Sequence, residues 1–315
     1  MKVGGHRNFG WGRKMAWAGR QALNHAYGGG HYATVAAHAS RWGEFARWAK
    51  EQGIRDARDV TREVLERYGQ HLAQKVEMGV MKTSYAQNLL SSANVTLSAL
   101  RQDDRVRVSP RELVGQRTTV RTDPPKGLDR DAVARAADAL RERGHERAAA
   151  VIELARDLGL RMREASMLDA KSALRQAERT GRVDIREGTK GGRGAFVERL
   201  VPVSDRAMET LRRAAEAQGE ARNLIPTDNS WKEFRNHVHG VWREVRDEYG
   251  LGKIHDLRAA YACERYEELT GHKAPVLAGG RTASDEDDKA ARKQISYELG
   301  HGRMDVASEY IGGRR

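Results

Sequence analysis

The sequence predicts a mainly α-helical protein that carries one small β-hairpin and folds as two domains. From residue 31 to about residue 101, apolar residues recur three or four positions apart, which is the spacing of one buried helix face. Alternation typical of strands occurs only in a short stretch after Gly181. Between these stretches, residues 116–128 contain two adjacent prolines, which exclude a helix there.

At 315 residues the chain is long enough for two domains with sizeable cores. We expect an N-terminal basic arm or helix at 1–30 and a helical domain at 31–115. A linker at 116–128 then leads to a second domain at 129–315.

The charge of the chain is basic and uneven. The formal net charge is +12. Residues 1–123 hold 20 Lys and Arg against 11 Asp and Glu, which gives +9; the remaining 36 and 33 give +3. Basic excess concentrated in one segment indicates a polyanionic partner, although charge alone does not separate DNA from RNA or from an anionic membrane.

Several classes of protein do not fit this composition. No apolar run approaches the roughly 20 residues that cross a bilayer, and the N-terminus lacks a secretory apolar core. The single cysteine, Cys263, cannot form an internal disulfide, and no Cys/His cluster has zinc spacing. We therefore expect a cytoplasmic protein without a metal site.

The first 30 residues combine tryptophans with basic residues. One short amphipathic helix could carry Trp11, Arg13, Lys14, Trp17 and Arg20. Such a helix either rests on nucleic-acid phosphates or packs its tryptophans on the next domain, and the sequence favours neither.

Helical patterns account for most of the remaining chain. In the first domain we predict a helix with Val35, Ala39, Trp42, Phe45 and Ala49 on its inner face, a second from about Thr61, and a third capped by Thr83. The exposed faces include Arg41, Arg47, Arg55, Arg58 and Arg62. In the second domain we predict helices at about 129–143, 146–158, 163–168, 205–217, 230–249, 255–269, 286–299 and 303–311.

Two irregular segments interrupt the second domain. A glycine-rich turn, 187–194, lies between short apolar pieces and predicts a β-hairpin with a mobile turn that carries Lys190. A polar insert at 271–289 contains an acidic run, which lacks the spaced ligands of a calcium loop. We interpret the run as a solvated loop with acids at a helix N-terminus.

Five motifs in the second half of the chain share one chemistry. They are Gly159-Leu160-Arg161-Met162-Arg163-Glu164, Lys190, His255-Asp256-Leu257-Arg258, Leu299-Gly300-His301 and Tyr310. In their order and separations they resemble the catalytic domain of the tyrosine recombinases, the phage-integrase family. The helical region at about 31–101 is similar to the core-binding domain of that family, so the resemblance covers most of the chain.

The resemblance implies a SAM-like helical core-binding domain followed by a mixed α+β tyrosine-recombinase catalytic domain. It implies a site-specific DNA recombinase that cuts and rejoins DNA through a 3′-phosphotyrosyl intermediate, and so integrates or excises a mobile element. Expected partners are double-stranded DNA, three further protomers on two DNA sites, and accessory directionality proteins. No cofactor is expected, and the protein would be associated with the nucleoid.

The residue types fit this chemistry independently of the resemblance. Charge grows on the non-bridging oxygens of a phosphodiester during attack, and permanently cationic, forked guanidiniums suit it. We assign Arg161 and Arg258 to this role. Arg163 is the rival of Arg161 in the sequence, and the resemblance favours Arg161.

The other candidates each have an ordinary explanation as well. His255 and His301 could donate hydrogen bonds to the same phosphate, but a histidine alone is more often a core or capping residue. Glu164, which the resemblance assigns to orienting an arginine or a histidine, could be a simple first-turn acid. Lys190 could be a lysine in an exposed turn.

Tyr310 is the candidate nucleophile. A tyrosine hydroxyl has an ordinary pKa of about 10 and needs help to lose its proton. Lys190, on a flexible hairpin, suits protonation of the leaving 5′-oxygen. Only five residues follow Tyr310, whereas many members of the family have a further segment that docks on a neighbouring subunit, so we expect a different mode of assembly.

Two alternative functions remain open from the sequence. A type IB topoisomerase resembles the recombinases in these catalytic residues but acts as a monomer. A non-catalytic DNA-binding protein derived from a mobile element is the second alternative, and the full catalytic set argues against it.

Overall fold

The chain divides after Thr118 into two compact units, and the structure, a computed structural model, describes residues 5–314. Residues 116–128 form neither helix nor strand. Within the described residues, no helix combines the length and the apolar character that a membrane crossing needs.

Helices dominate the first unit. In residues 5–118 they are α1 (Met15–Ala26), α2 (Tyr32–Glu51), α3 (Arg62–Glu77), α4 (Thr83–Arg101) and α5 (Pro110–Val114). Short 3-10 segments lie at Arg7–Gly10 and Ala57–Asp59.

An aromatic cluster forms the core of the first unit. Trp42 and Phe45 of α2 lie with ring centroids 4.8 Å apart, and Tyr68 of α3 meets Phe45 edge-on at 5.0 Å. Their burial confirms the inner faces predicted for these two helices. Burial of apolar side chains of this size is the main stabilising contribution in such a unit.

The N-terminal segment differs from the sequence prediction. Helix α1 begins only at Met15, so Trp11, Arg13 and Lys14 precede it. The indole of Trp11 donates a hydrogen bond to the carbonyl of Leu100, whereas Trp17 is 56% exposed. A single face could not carry both tryptophans because the chain turns between them.

Three helices were not predicted, one of which is the single turn Pro275–Ala278 in the polar insert. Helix α5 follows Ser109, whose hydroxyl accepts a hydrogen bond from the amide of Glu112. Helix α9 (Ala170–Thr180) likewise follows Asp169 as its N-cap. Both have few large apolar residues, so periodicity alone gave little signal for them.

The second unit packs helices around α7 (Glu146–Asp157) and α12 (Ile254–Thr270). Its other helices are α6 (Arg130–Glu142), α8 (Met162–Met167), α9, α10 (Asp205–Gln218), α11 (Trp231–Arg246), α13 (Pro275–Ala278), α14 (Asp285–Glu298) and α15 (Ser308–Ile311). A 3-10 segment, Met304–Ala307, leads into α15. Asp129 and Ser204 cap α6 and α10.

A network of ion pairs ties α6, α7 and α12 together. Glu264 of α12 pairs with Arg130 of α6 and with Arg156 of α7, and Arg130 also pairs with Asp157. Arg156 is 2% exposed and also donates to the carbonyl of Gly127. The network fixes the helices on which the candidate site is built.

The predicted hairpin is present, with shorter strands and a longer connection. Strands β1 (Arg182–Asp184) and β2 (Leu200–Pro202) pair antiparallel, with Val183 opposite Val201. A 3-10 segment, Lys190–Ala195, lies within the connection. The apolar pair Phe196-Val197, expected on the hairpin, belongs to no strand, and Phe196 is 90% exposed.

The acidic run of the insert is only partly solvated. Ser284 caps α14 and the acids occupy its first turn, as predicted. Asp288, however, is fully buried. Its carboxylate pairs with Arg292 at 2.9 Å and accepts a hydrogen bond from Tyr266. The interpretation of Asp288 as a solvated acid is wrong.

Candidate active site

Tyr310 lies on α15 and is only 2% exposed. Its Oη is 3.3 Å from Nε of Arg258 and 3.1 Å from Nε2 of His301. The Arg258 guanidinium also lies 5.3 Å from the centroid of the phenol ring. The candidate nucleophile therefore sits against a cation and an imidazole of its own chain.

Arg258 is held from both sides by backbone carbonyls. Its side chain, on α12, is 1% exposed and donates to the carbonyls of Gly159 and Leu299. Burial lowers the pKa of Arg258 to about 10, and the guanidinium of Arg161 acts in the same direction. Arg258 nevertheless stays cationic at neutral pH.

Arg161 is the N-cap of α8 and reaches the same cluster from the other side. Its Nη1 donates to Oε1 of Glu164 at 2.6 Å, and its backbone amide donates to Oε2 at 2.8 Å. Its Nη2 lies 3.2 Å from Nε2 of His301. Arg163, the rival in the sequence, is exposed and lines a neighbouring cleft.

Glu164 lies beneath the arginines and is fully buried. Its carboxylate pairs with Arg161, with Arg199 at 3.0 Å and with Arg258 at 3.6 Å. Burial by itself raises the pKa of Glu164, but Arg199, Arg258 and Arg161 together bring it down to about 2. This carboxylate is therefore more than a first-turn acid, because it contacts three guanidiniums.

Both histidines lie next to the ring of Tyr310, with ring centroids 5.3 Å (His255) and 5.6 Å (His301) away. Burial, and then the charges of Arg258 and Arg161, lower the pKa of His301 to about 3, so its imidazole is neutral at neutral pH. A guanidinium has no acceptor, so Nε2 of His301 is the nitrogen that accepts. The His255 ring centroid is 5.3 Å from that of Tyr310; packed protein around the ring, and Arg258, lower its pKa to about 4.

Lys190 lines a cavity together with Arg161, Glu164 and His301. The loop that carries it is fixed at Gly188, which has φ of +72° and lies so close to α8 that a Cβ would be 2.6 Å from the carbonyl of Arg163. The glycine therefore lets the hairpin connection approach the segment that contains Arg161. The structure thus brings all seven predicted residues to one region.

Sequence reasoning missed Arg199, whose Nη1 lies 3.0 Å from Oε2 of Glu164. It directly precedes β2 and resembles an ordinary arginine at a strand end. A weak signal was present, since Arg199 directly precedes the apolar residues Leu200 and Val201 of the hairpin. Its burial to 4% could not be read from that position.

Sequence reasoning also missed a basic cleft of about 630 Å³ next to the site. Arg161 and His255 stand at one side of this cleft. Helix α11 lines it with Trp231, Arg235, His239, Arg243 and Arg246. The signal was available, because the first four of these residues are spaced four apart and so share one helix face.

Comparisons with known proteins agree with this architecture. Residues 119–264 match the family model described as Integrase. A lambda integrase dimer bound to a COC′ core site aligns with a TM-score of 0.58 at 18% identity, over 94% of this chain and 77% of that chain. The Tn1549 transposon integrase in complex with circular intermediate DNA aligns with a TM-score of 0.58 at 12% identity, over 96% and 97%.

A second complex of the Tn1549 integrase, with transposon right end DNA, gives a TM-score of 0.59 at 11% identity, over 96% of both chains. At these identities the likeness shows a shared fold. No curated protein sequence matches the chain significantly. The second unit therefore matches the Integrase family model over residues 119–264, and the chain shares the fold of these integrases.

Proposed function

We propose that this protein is a site-specific recombinase that cleaves and rejoins double-stranded DNA, with Tyr310 as the nucleophile. The observation that carries the proposal is the position of the Tyr310 hydroxyl, within 3.3 Å of Arg258 and 3.1 Å of His301. Arg161 is linked to the same imidazole at 3.2 Å. A phosphate beside these groups would meet two guanidiniums and the phenol at once.

The proposed cleavage step is a transesterification. The Tyr310 oxygen forms a bond to phosphorus, and the bond between phosphorus and the 5′-oxygen breaks. The phenol loses one proton and the 5′-oxygen gains one, so the products are a 3′-phosphotyrosyl link and a free 5′-hydroxyl. The reverse step, with a 5′-hydroxyl of another strand as nucleophile, rejoins the DNA without a further energy source.

Arg161 and Arg258 would stabilise the charge that develops on the phosphate oxygens. Both are already oriented, Arg258 by two carbonyls and Arg161 by Glu164. Donors held in place before the reaction need no reorganisation in the transition state. This preorganisation supports catalysis over a role in binding alone.

The remaining residues would handle protons and orientation. Neutral His301 accepts the hydrogen bond of the phenol and so aims the oxygen. His255, whose ring also lies next to that of Tyr310, would donate to the phosphate. Lys190, which lines the cavity beside Arg161 and His301, would give a proton to the leaving 5′-oxygen.

The basic cleft supports a DNA substrate. Arg235, Arg243 and Arg246 of α11 line it together with Arg161, and such clustered arginines suit contacts with the phosphates of a duplex. The structures of the relatives are complexes with a core site, with circular intermediate DNA and with transposon right end DNA. By the same likeness we propose that this protein integrates or excises a mobile element as four protomers on two DNA sites, with accessory directionality proteins.

The test is covalent capture of DNA on Tyr310. The full-length protein is incubated with a pool of nicked duplex fragments from which the cut strand end diffuses away, and covalent complexes are isolated under denaturing conditions. Sequencing of the trapped ends then identifies the target site. We expect capture by the unchanged protein and by Tyr249→Phe, a matched change in the same unit.

Tyr310→Phe should capture no DNA, because it lacks the attacking oxygen, and it should still bind the identified site. Capture by Tyr310→Phe would refute the assignment of the nucleophile. If the unchanged protein binds DNA but never becomes attached to it, the alternative of a non-catalytic DNA-binding protein is correct.

A further inference from the structure

We propose that Arg199 is a positioning residue for DNA cleavage, which acts through Glu164 and through the turn that carries His301. It offsets the negative charge of Glu164, so that Arg161 and Arg258 keep their full attraction for the phosphate. The inference rests on the proposed function and adds a residue that acts through the catalytic groups.

Burial of the charged Arg199 side chain reduces the stability of the fold, and such a role would explain why it is there. The residue is 4% exposed, and neither terminal nitrogen of its guanidinium has a hydrogen-bond partner within residues 5–314. Its Nη1 lies 3.0 Å from Oε2 of Glu164 as an ion pair only. A buried cation with unmatched donors is destabilising, so its presence calls for an explanation beyond packing.

Arg199 connects the two halves of the candidate site. On one side it pairs with Glu164, which holds Arg161. On the other side its Nε donates to the carbonyl of Glu298 at 2.7 Å, three residues before His301. Its own backbone amide donates to Asp184 of β1 at 2.9 Å, so the hairpin fixes the guanidinium in place.

The glycine of the Leu299-Gly300-His301 motif is required by this arginine. Gly300 has φ of +67°, and a Cβ on it would lie 3.0 Å from Nη1 of Arg199. The turn before His301 therefore passes directly over the Arg199 guanidinium. Any larger residue would push the imidazole or the arginine out of place.

The charges give the second part of the argument. Arg161, Arg199 and Arg258 carry +3 and Glu164 carries −1, which leaves +2 around the carboxylate. Without Arg199 the sum is +1. Because the groups lie in a poorly solvated interior, a difference of one charge changes the attraction for a phosphate substantially.

The first experiment compares three variants on the DNA site that the capture assay identifies. Arg199→Met removes the charge and keeps the apolar bulk, and Arg199→Lys keeps the charge. We expect the single-turnover cleavage rate of Arg199→Met to fall about 10- to 100-fold, as for residues one layer behind a reactive group. Arg199→Lys should retain more activity, and Arg147→Met, at a part-buried arginine that donates to the carbonyls of Gln218 and Leu224, should cleave at the unchanged rate.

A second substrate separates charge from architecture. When a neutral methylphosphonate replaces the scissile phosphate, there is less charge to stabilise, so the deficit of Arg199→Met should shrink at least severalfold. A purely architectural role predicts the same deficit on both substrates. The double variant Glu164→Gln with Arg199→Met restores a sum of +2 and should cleave no more slowly than Arg199→Met alone.

The outcomes separate this inference from the proposed function. If the unchanged protein cleaves and Arg199→Met cleaves equally well, Arg199 is not a positioning residue; if Arg199→Met loses the same factor on both substrates, Arg199 does not offset the charge of Glu164 and the inference is wrong. If the unchanged protein does not cleave, the proposed function itself is wrong. Should Arg199→Met fail to fold, Arg199→Lys and Arg199→Gln provide the same comparison.

Discussion

At the scale of single residues, a small set of side chains surrounds the Tyr310 hydroxyl, and contacts with other residues hold each of them in place. His301 is neutral because two guanidiniums and partial burial lower its pKa to about 3. Being neutral, it can accept the hydrogen bond of the phenol, which a protonated imidazole cannot do. Arg258 supplies the adjacent cation and Glu164 holds the second guanidinium in line. Orientation is thus achieved before any substrate arrives.

Arg161→Lys and Arg258→Lys should reduce cleavage to a similar extent but should differ in melting temperature. Each variant loses the forked geometry, so cleavage should fall about 100- to 1,000-fold in both. Arg258→Lys leaves the carbonyls of Gly159 and Leu299 without their donor, so its melting temperature should also fall by several degrees. Arg161→Lys, with a side chain 23% exposed, should melt nearly as the unchanged protein does.

Single-turnover cleavage and thermal unfolding of both variants check this prediction. Cleavage within threefold of the unchanged rate in either variant would mean that the phosphate clamp is misassigned.

At the scale of elements, α14 holds the C-terminal segment that carries Tyr310. Arg292 donates to the hydroxyl of Ser308 at 3.1 Å and to the carbonyls of Gly312 and Gly313 at 3.1 and 2.9 Å. Asp288 fixes Arg292 in turn. The segment around the phenol is therefore attached to its own unit on both sides of Tyr310.

Arg292→Met should release this segment. We expect cleavage to fall about tenfold or more, because a misplaced nucleophile loses the advantage of proximity, while affinity for DNA stays within about twofold. Lys293→Met, an exposed change at the next position of α14, is the control and should cleave normally. Filter binding and single-turnover cleavage measure the two quantities; equal losses in binding and cleavage would contradict a role specific to the nucleophile.

At the scale of the whole molecule, the two units arrange their basic residues differently. In the first unit, Arg47, Arg58 and Arg62 are exposed but pair with neighbouring acids, so the number of its basic residues overstates the number of unpaired cations. In the second unit, the net charge is small, yet arginines converge on one cleft beside the site. Local arrangement therefore decides where a duplex would bind.

Changing the arginines of the cleft should reduce the salt dependence of DNA binding. Each lost phosphate contact removes about 0.9 from the slope of log affinity against log salt concentration. Arg235→Gln with Arg243→Gln should therefore lower the slope by about 2. Arg212→Gln on α10, where Arg212 already pairs with Glu209, should leave it unchanged. Fluorescence anisotropy over a range of salt concentrations gives these slopes, and a slope unaffected by the double change would rule out the cleft as the DNA surface.

The helices that could be predicted are those with a strong repeat of large apolar residues. Helices α2, α3, α7 and α12 lie within a few residues of their predicted limits. Helices α5 and α9 escaped prediction because they are short or rich in alanine and polar residues. The hairpin was recognised from its alternation, but the conformation of its glycine-rich connection was not, since it depends on contacts with α8.

The sequence by itself determined the residue types of the candidate site and their order, together with the faces of its main helices. These properties are local, because a helix face repeats within a few residues and a glycine or proline acts where it stands. Only the tertiary structure decided which side chains converge. His301 lies 140 positions from Arg161, and Arg199 lies 99 positions before the carbonyl that it binds. Such pairs are fixed by the packing of whole helices, which no local pattern encodes.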